Sequence, residues 1–410
     1  MRAVAGVGLG IGFLAQVVTF LAGVLPAILR QPEVLVYLLG VTAPATIALH
    51  VTLLGAAVRL PLEAEGGAAR RAVRAAVTVT GVAMIGVLTV GAVLGVVGLG
   101  GVASYLVAVA SLTGAMGAFQ LAMTAGVRVG AVTAVMSGRL VYALVLFAGT
   151  LVALLTGASM AVFAAVVVVS YLVGSVTLLA AIRGEVLRDV EGAGHGGVPR
   201  AVSRVVVSQA LSTVSSQVAA MATAGLGVFA ETWALAVRMA SGAQTIGGQV
   251  FGVGIDAATA TSMRRRGAGS GDVFRRAGFA MVGVLAIYAS TLSLVLWWNR
   301  ASVPDTTAAA VIIGLCVYLP TLVAFSPIDR MTSMMVPSSL RIGVDVARAG
   351  ASILVLLLAH GVATLVWLSA VSAAALTAYV ALVIASTRRA HALARVDALV
   401  STALRWNPGR

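Results

Sequence analysis

Long apolar runs separated by short polar gaps follow one another along the whole chain. About twelve can be placed, at residues 3–29, 33–58, 75–97, 102–124, 133–155, 159–182, 204–225, 231–257, 277–298, 307–328, 342–359 and 364–387. Each run is close to the ~20 residues that an α-helix needs to cross a hydrocarbon core. Because backbone polar groups in lipid must be satisfied within the segment, the pattern predicts an all-α, polytopic integral membrane protein with about 12 transmembrane helices.

The composition agrees with this prediction and narrows it. Of the residues, 60% are hydrophobic and 10% are charged, and the mean hydropathy is +1.07, as in polytopic membrane proteins. The single cysteine, Cys316, lies in an apolar run, which excludes an internal disulfide framework and a cysteine-based metal site. The net charge of +14 comes from arginines in the gaps between runs, so it indicates membrane topology rather than nucleic-acid binding.

The placement of the arginines predicts the orientation. When alternate gaps are assigned to opposite sides, 22 of the 27 arginines share the side of the N-terminus, whereas only Arg30 and Arg300 lie on the other. The remaining three, Arg139, Arg238 and Arg348, fall inside apolar runs. Positively charged loops stay in the cytoplasm, so both termini are predicted to be cytoplasmic in a multi-pass protein of the cytoplasmic (inner) membrane.

The longest interior gap divides the chain into two halves of six runs each. Residues 183–203 are Gly-rich and charged, which predicts a cytoplasmic linker between an N-terminal six-helix lobe (1–182) and a C-terminal six-helix lobe (204–387). Residues 388–410 place apolar side chains on one helical face. They are predicted to form an amphipathic tail on the cytoplasmic surface, with a disordered tail as the alternative.

The eighth run carries a stripe of polar residues. Glu231, Arg238, Gln249 and Asp256 are separated by near-whole numbers of helical turns and therefore lie on one face. A polar stripe along a membrane helix faces something other than lipid, and a buried guanidinium attracts water or an anion. The alternative is that Arg238 extends to the external interface, and the two carboxylates at the ends of the stripe are interpreted as interfacial.

The seventh run adds a second polar stripe beside the first. It consists of Arg204, Ser208, Ser212 and Ser215, broadened by Gln209. Enzyme signatures are missing, since there is no Gly-rich loop ending in Lys, no H-E-x-x-H motif and no G-x-S-x-G motif. The sequence therefore predicts a protein that is not an enzyme and has no cofactor or metal.

Three stretches resemble a known family. LPAILRQPEVLVYLLGVTAPATIALHVTLLGAAVRLPL, AGLGVFAETWALAVRMASGAQTIGGQ and LAHGVATLVWLSAVSAAALTAYVALV, in a six-plus-six layout, are similar to the oligosaccharide flippase (O-antigen-type) branch of the multidrug/oligosaccharidyl-lipid/polysaccharide exporter superfamily. The resemblance implies two lobes around a central cavity that opens alternately to each side. It also implies that Arg238 is a cavity cation and that Gln209, Gln244, Gln249 and Ser212 are substrate-binding residues.

The function expected from this resemblance is flipping of a polyprenyl-diphosphate-linked oligosaccharide by alternating access. The expected partners are the lipid bilayer, the lipid-linked oligosaccharide, and glycan polymerase and glycosyltransferases, with the protein itself a monomer. One alternative is a cation-coupled drug or metabolite antiporter that uses Glu231 or Asp256. The other is a membrane-embedded glycan polymerase or glycosyltransferase that uses Glu33, Glu231 and Asp305.

Overall fold

The computed structural model describes residues 2–53, 66–191, 200–222, 230–242 without 232, and 336–405 without 361, with scattered helical positions between 275 and 332. Nine long helices are found in this part: α1 (Arg2–Ile28), α2 (Glu33–Thr52), α3 (Gly66–Val96), α4 (Gly100–Arg128), α5 (Val132–Leu155), α6 (Met160–Glu191), α7 (Arg200–Met221), α8 (Ser338–Leu358) and α9 (Val362–Arg405). The described residues of 230–242 are helical as well. Seven of the described helices are long and apolar enough to span a membrane, which confirms the all-α membrane fold.

Several helices continue beyond the apolar run that predicted them. α3 begins at Gly66 and includes Arg71 and Arg74, and α6 runs on to Glu191. α9 is one helix of 44 residues, so the tail predicted beyond residue 388 continues the last span without a break up to Arg405. The segment contains neither Gly nor Pro between 362 and 405, so no residue interrupts the helix at the membrane boundary.

The sharp turns that follow α1, α3, α4 and α5 share one backbone motif. After α1, α3, α4 and α5, the residue with positive φ is Arg30, Gly98, Gly130 and Gly157, respectively. At each position the following amide donates to the carbonyl five residues earlier, as Gln31 does to Pro26 at 2.8 Å and Ala131 does to Gly126 at 2.9 Å. This Schellman arrangement pairs carbonyls of the last helical turn that have no partner further along the helix.

A tyrosine repairs the hydrogen-bond ladder of α2. Pro44 has no amide hydrogen, so the carbonyl of Gly40, four residues earlier, lacks its helical donor. The hydroxyl of Tyr105 on α4 donates to this carbonyl at 2.9 Å. An unsatisfied carbonyl is costly in lipid. The hydrogen bond from Tyr105 therefore replaces the helical bond that Pro44 cannot form, and it also joins α2 to α4.

α5 and α6 approach closely because glycines face each other at their crossing. A Cβ atom on Gly138 would lie 3.0 Å from Cβ of Leu178, and one on Gly174 would lie 3.3 Å from the carbonyl oxygen of Gly138. The same Cβ on Gly174 would lie 2.8 Å from the Phe119 ring and 2.9 Å from Cβ of Tyr142. Small residues therefore bring the helices together and set the position of two aromatic side chains.

The helical segment 230–242 lies at the centre of the molecule. From Trp233 to Ala240 every residue is buried except the partly buried Arg238. It packs with residues of α1, α2, α7 and α9 in one hydrophobic cluster, to which Val24, Leu39, Val218 and Leu365 contribute. The stripe-bearing helix therefore begins between elements from both halves of the sequence.

A buried carboxylate, Asp345, pairs with an arginine of its own helix α8 and accepts a hydrogen bond from α9. Arg341, assigned to a cytoplasmic gap by its sequence position, lies instead in the first turn of α8, where its Nε is 3.7 Å from Asp345 Oδ2. Tyr379 of α9 donates a hydrogen bond to Asp345 Oδ1. Arg341 is helical because α8 begins at Ser338, four residues before the apolar run.

Candidate functional site

Arg238 projects from the central segment into a cavity. Its Nε is buried and has no hydrogen-bond partner within the described part of the chain. Gly23 of α1 leaves room for the side chain, since a Cβ there would lie 3.9 Å from Cδ of Arg238. A buried guanidinium that has no carboxylate partner among the described residues favours an anion or water in the adjoining space.

That space, the Arg238 chamber, has a volume of about 250 Å³. Its walls come from α1, α2, α4, α5, α6, α7 and the segment 230–242, so both halves of the sequence contribute. Hydroxyl and amide groups interrupt the apolar wall; they belong to Thr19, Thr42, Thr46, Thr150, Ser216, Gln217 and Ser241. Apolar walls with a few convergent polar groups are typical of a ligand-binding pocket.

A second cavity, the Arg139 chamber, lies within the N-terminal helices. It has a volume of about 240 Å³ and is lined by α1, α2, α4, α5 and α6. Arg139 Nε donates to Met123 Sδ at 3.2 Å, and a thioether sulfur is only a weak acceptor. Two side-chain amides, Gln16 and Gln120, line the same space.

An aromatic cluster stands between the two chambers. The rings of Tyr142 and Tyr171 stack with centroids 4.4 Å apart, and Phe119 meets Tyr171 edge to face at 5.6 Å. Both tyrosines line both chambers, as do Thr19 and Met116. The tyrosine pair is therefore a shared wall rather than part of one cavity.

The chambers follow one another along the helix axes. On α5 the Arg139 chamber is lined by Arg139 and Tyr142, and the Arg238 chamber by Tyr142, Leu146 and Thr150. On α1 the corresponding positions are 15–19 and 19–23. The contact between Gly12 and Met136 fixes the register of these two helices, so Arg139 is level with residue 15 of α1. The eight residues from there to Gly23, beside Arg238, correspond to ~12 Å at 1.5 Å per residue.

Positive charge predominates in these cavities. A smaller recess of about 150 Å³ adjoins the Arg238 chamber and is lined by Gln16, Phe20, Arg238 and Gly242, among others. Among the described residues that line the three cavities there are two arginines and no carboxylate. In a low-dielectric environment two uncompensated cations produce a field that attracts anions.

The other residues predicted for the site are distributed as follows. Ser212 is half-buried on α7 and is not among the described lining residues, which on this helix begin one turn later with Ser216 and Gln217. Gln209 belongs to α7. Gln244 and Gln249 lie outside the described residues.

Sequence reasoning missed the second chamber. Arg139 was visible only as a charge inside the fifth run, and Gln16 as a single amide in the first. Neither forms a stripe on its own helix, because the residues that line the chamber come from five helices. Predicting that Arg139 and Gln16 lie close together would have required knowledge of how the helices align with one another, which a single sequence does not contain.

Comparison with known proteins places the fold. No protein-family model and no curated protein matches the chain. A crystal structure of a MATE protein matches with 13% identity and a TM-score of 0.54, over 95% of each chain. The inward closed conformation of the lipid II flippase MurJ matches with 10% identity and a TM-score of 0.54, over 96% of this chain and 92% of that one.

A MATE protein in complex with Br-NRF also matches, with 15% identity, a TM-score of 0.51 and 94% coverage of both chains. The chain shares the fold of these proteins. MATE transporters and MurJ both belong to the superfamily that the sequence resembles. The shared fold covers nearly the whole length of the chain.

Proposed function

We infer that the protein is a transporter that flips a polyprenyl-diphosphate-linked oligosaccharide across the membrane by alternating access. The observation that carries this proposal is the charge of the cavities, whose described lining contains Arg238 and Arg139 and no carboxylate. A diphosphate is a compact dianion that a guanidinium binds through charge-assisted, often bidentate hydrogen bonds. The shared fold with the lipid II flippase MurJ supports the same class of substrate.

The Arg238 chamber suits the diphosphate because charge and hydroxyl groups converge there. Arg238 supplies the cation, while Ser241 and Gln217 lie on the same wall and Thr42 and Thr46 lie on α2. Hydroxyl and amide side chains bind sugar hydroxyls by exchanging hydrogen bonds with them. No covalent step is required, because rocking of the two lobes moves the headgroup past the bilayer while the lipid tail stays in it.

A flipping assay tests the role of Arg238. The purified protein is placed in proteoliposomes with a labelled polyprenyl-diphosphate oligosaccharide, and the exposed fraction of label is followed with time. Arg238→Gln removes a charge-assisted pair worth roughly 1.5–3 kcal/mol, so the initial rate should fall about tenfold or more. Arg74→Gln, which removes an exposed arginine on α3, is the matched control and should leave the rate unchanged.

Two results would count against the assignment. Equal rates for Arg238→Gln and the wild type would remove Arg238 from the substrate site. Failure of the wild type to move any lipid-linked oligosaccharide, together with movement of a water-soluble cation, would favour the antiporter instead. The buried carboxylate of Asp345 on α8 gives the antiporter little support. Arg341 already neutralises its charge, and Tyr379 already donates a hydrogen bond to it.

A further inference from the structure

The Arg139 chamber contains more binding chemistry than a single diphosphate site requires. The level of Arg139 on α1 is ~12 Å from that of Gly23, which contacts Arg238, and the stacked tyrosines form a wall shared by the two chambers. The two phosphates of a diphosphate share one bridging oxygen and lie within a few ångströms of each other. One diphosphate therefore does not occupy both chambers, and the second guanidinium needs an anion of its own.

The walls of the Arg139 chamber indicate what carries that anion. Phe119, Tyr142 and Tyr171 form an aromatic wall on one side, and a sugar ring packs its C–H face on such a wall while its hydroxyls stay in the ring plane. Gln16 and Gln120 supply amide donors and acceptors for those hydroxyls. A planar guanidinium next to them matches a carboxylate, which it binds through two parallel hydrogen bonds.

We propose that the Arg139 chamber is a subsite for an acidic sugar, a uronic acid whose carboxylate pairs with Arg139 while its ring packs against the tyrosine pair. The glycan carried by this transporter is then anionic, and Arg139 determines that specificity. This inference rests on the proposed function, in which the Arg238 chamber holds the diphosphate. It differs in its prediction, because Arg238 acts on every lipid-linked substrate and Arg139 only on acidic ones.

The test uses two polyprenyl-diphosphate disaccharides that differ only in the outer sugar, glucuronic acid in one and glucose in the other. Initial flipping rates are measured in proteoliposomes for the wild type, Arg139→Gln, Arg238→Gln and Arg74→Gln. The wild type should prefer the glucuronic acid lipid about tenfold, since a charge-assisted pair contributes at least that factor. Arg139→Gln should lower only that rate, to the level of the glucose lipid, whereas Arg238→Gln should lower both.

A binding measurement tests independently of transport whether the Arg139 chamber is a subsite for an acidic sugar. Thermal unfolding of the purified protein in detergent is followed with free glucuronate and with free glucose as probes. Glucuronate alone should raise the melting temperature of the wild type, and this rise should be absent in Arg139→Gln. If Arg139→Gln does not fold, Arg139→Lys replaces it. That variant keeps the charge without the planar guanidinium, so it should weaken both the flipping preference for the glucuronic acid lipid and the thermal effect of glucuronate.

Each outcome either supports or overturns the subsite. The subsite is overturned if Arg139→Gln lowers the flipping rates of both lipids to the same extent, or if it leaves the preference for the glucuronic acid lipid unchanged. It is also overturned if glucuronate and glucose shift the melting temperature equally. If the wild type moves neither lipid, the proposed function fails. The thermal measurement then still supports the subsite, by a glucuronate effect that depends on Arg139, or overturns it by the lack of one.

Discussion

Single side chains satisfy the backbone groups that this helical chain leaves without a partner. Tyr105→Phe removes the hydroxyl that donates to the Gly40 carbonyl and should lower the free energy of unfolding by about 1 kcal/mol. The reason is that Pro44 provides no amide for that carbonyl. The measurement is the melting temperature of the purified variants in detergent.

The same pair offers its own control. Pro44→Ala restores an amide to position 44, so the Gly40 carbonyl regains a helical partner and no longer depends on Tyr105. In that background Tyr105→Phe should cost much less than in the wild type. Equal costs in both backgrounds would mean that the hydroxyl of Tyr105 stabilises the protein through something other than the Pro44 gap.

At the residue scale, what a sequence predicts depends on whether the residues lie on one helix. The spacing of seven residues between Glu231 and Arg238 is visible in the chain, so the polar stripe was predicted from one sequence, whereas the role of Arg238 as a cavity cation was implied by the resemblance. Arg139, Gln16 and Tyr171 come from three helices, and their proximity depends on helix packing. Asp345 was also missed, because a carboxylate four residues from an arginine resembles an ordinary surface pair until burial is known.

At the scale of the helix, glycines determine where the aromatic wall stands. Gly174→Val should displace Phe119 and Tyr142, because a Cβ there would already lie 2.8 Å and 2.9 Å from them. Overpacking of this kind costs about 1–3 kcal/mol, and the displaced rings should narrow both chambers and slow flipping. Unfolding and flipping rate are measured together. Gly86→Val on α3 is the control, since a Cβ there meets nothing within 4 Å, and both quantities should stay unchanged.

The positions of the helices along the chain were more predictable than the packing of one helix against another. The bounds of α1, α2, α4 and α5 start or end within a few residues of the apolar runs, because glycine turns and short polar gaps interrupt the chain there. The ends of α3, α6 and α9 were missed by more, since each of these helices continues past its apolar run into charged residues. Hydropathy predicts where a helix meets lipid rather than where it stops.

At the scale of the whole molecule, the proposed alternating access predicts that segment 230–242 moves against α1. The ring of Phe20 rests directly on Gly242, so this contact joins the two predicted lobes. In a Cys316→Ala background, Phe20→Cys with Gly242→Cys should form a cross-link with a short bifunctional thiol reagent. That cross-link should stop flipping, and cleavage by a reducing agent should restore it, because a bridged contact does not open.

A matched cross-link inside one lobe separates this effect from general rigidity. Gly149 on α5 lies against Val166 on α6, where a Cβ would be 2.7 Å from Cγ1, and both helices belong to the N-terminal half. Gly149→Cys with Val166→Cys should therefore leave flipping intact when cross-linked, if the lobe moves as a unit. Full transport through the Phe20–Gly242 cross-link would instead show that the passage opens without separating α1 from the central segment. The two arginine chambers would then have to exchange substrate through motions within the N-terminal lobe.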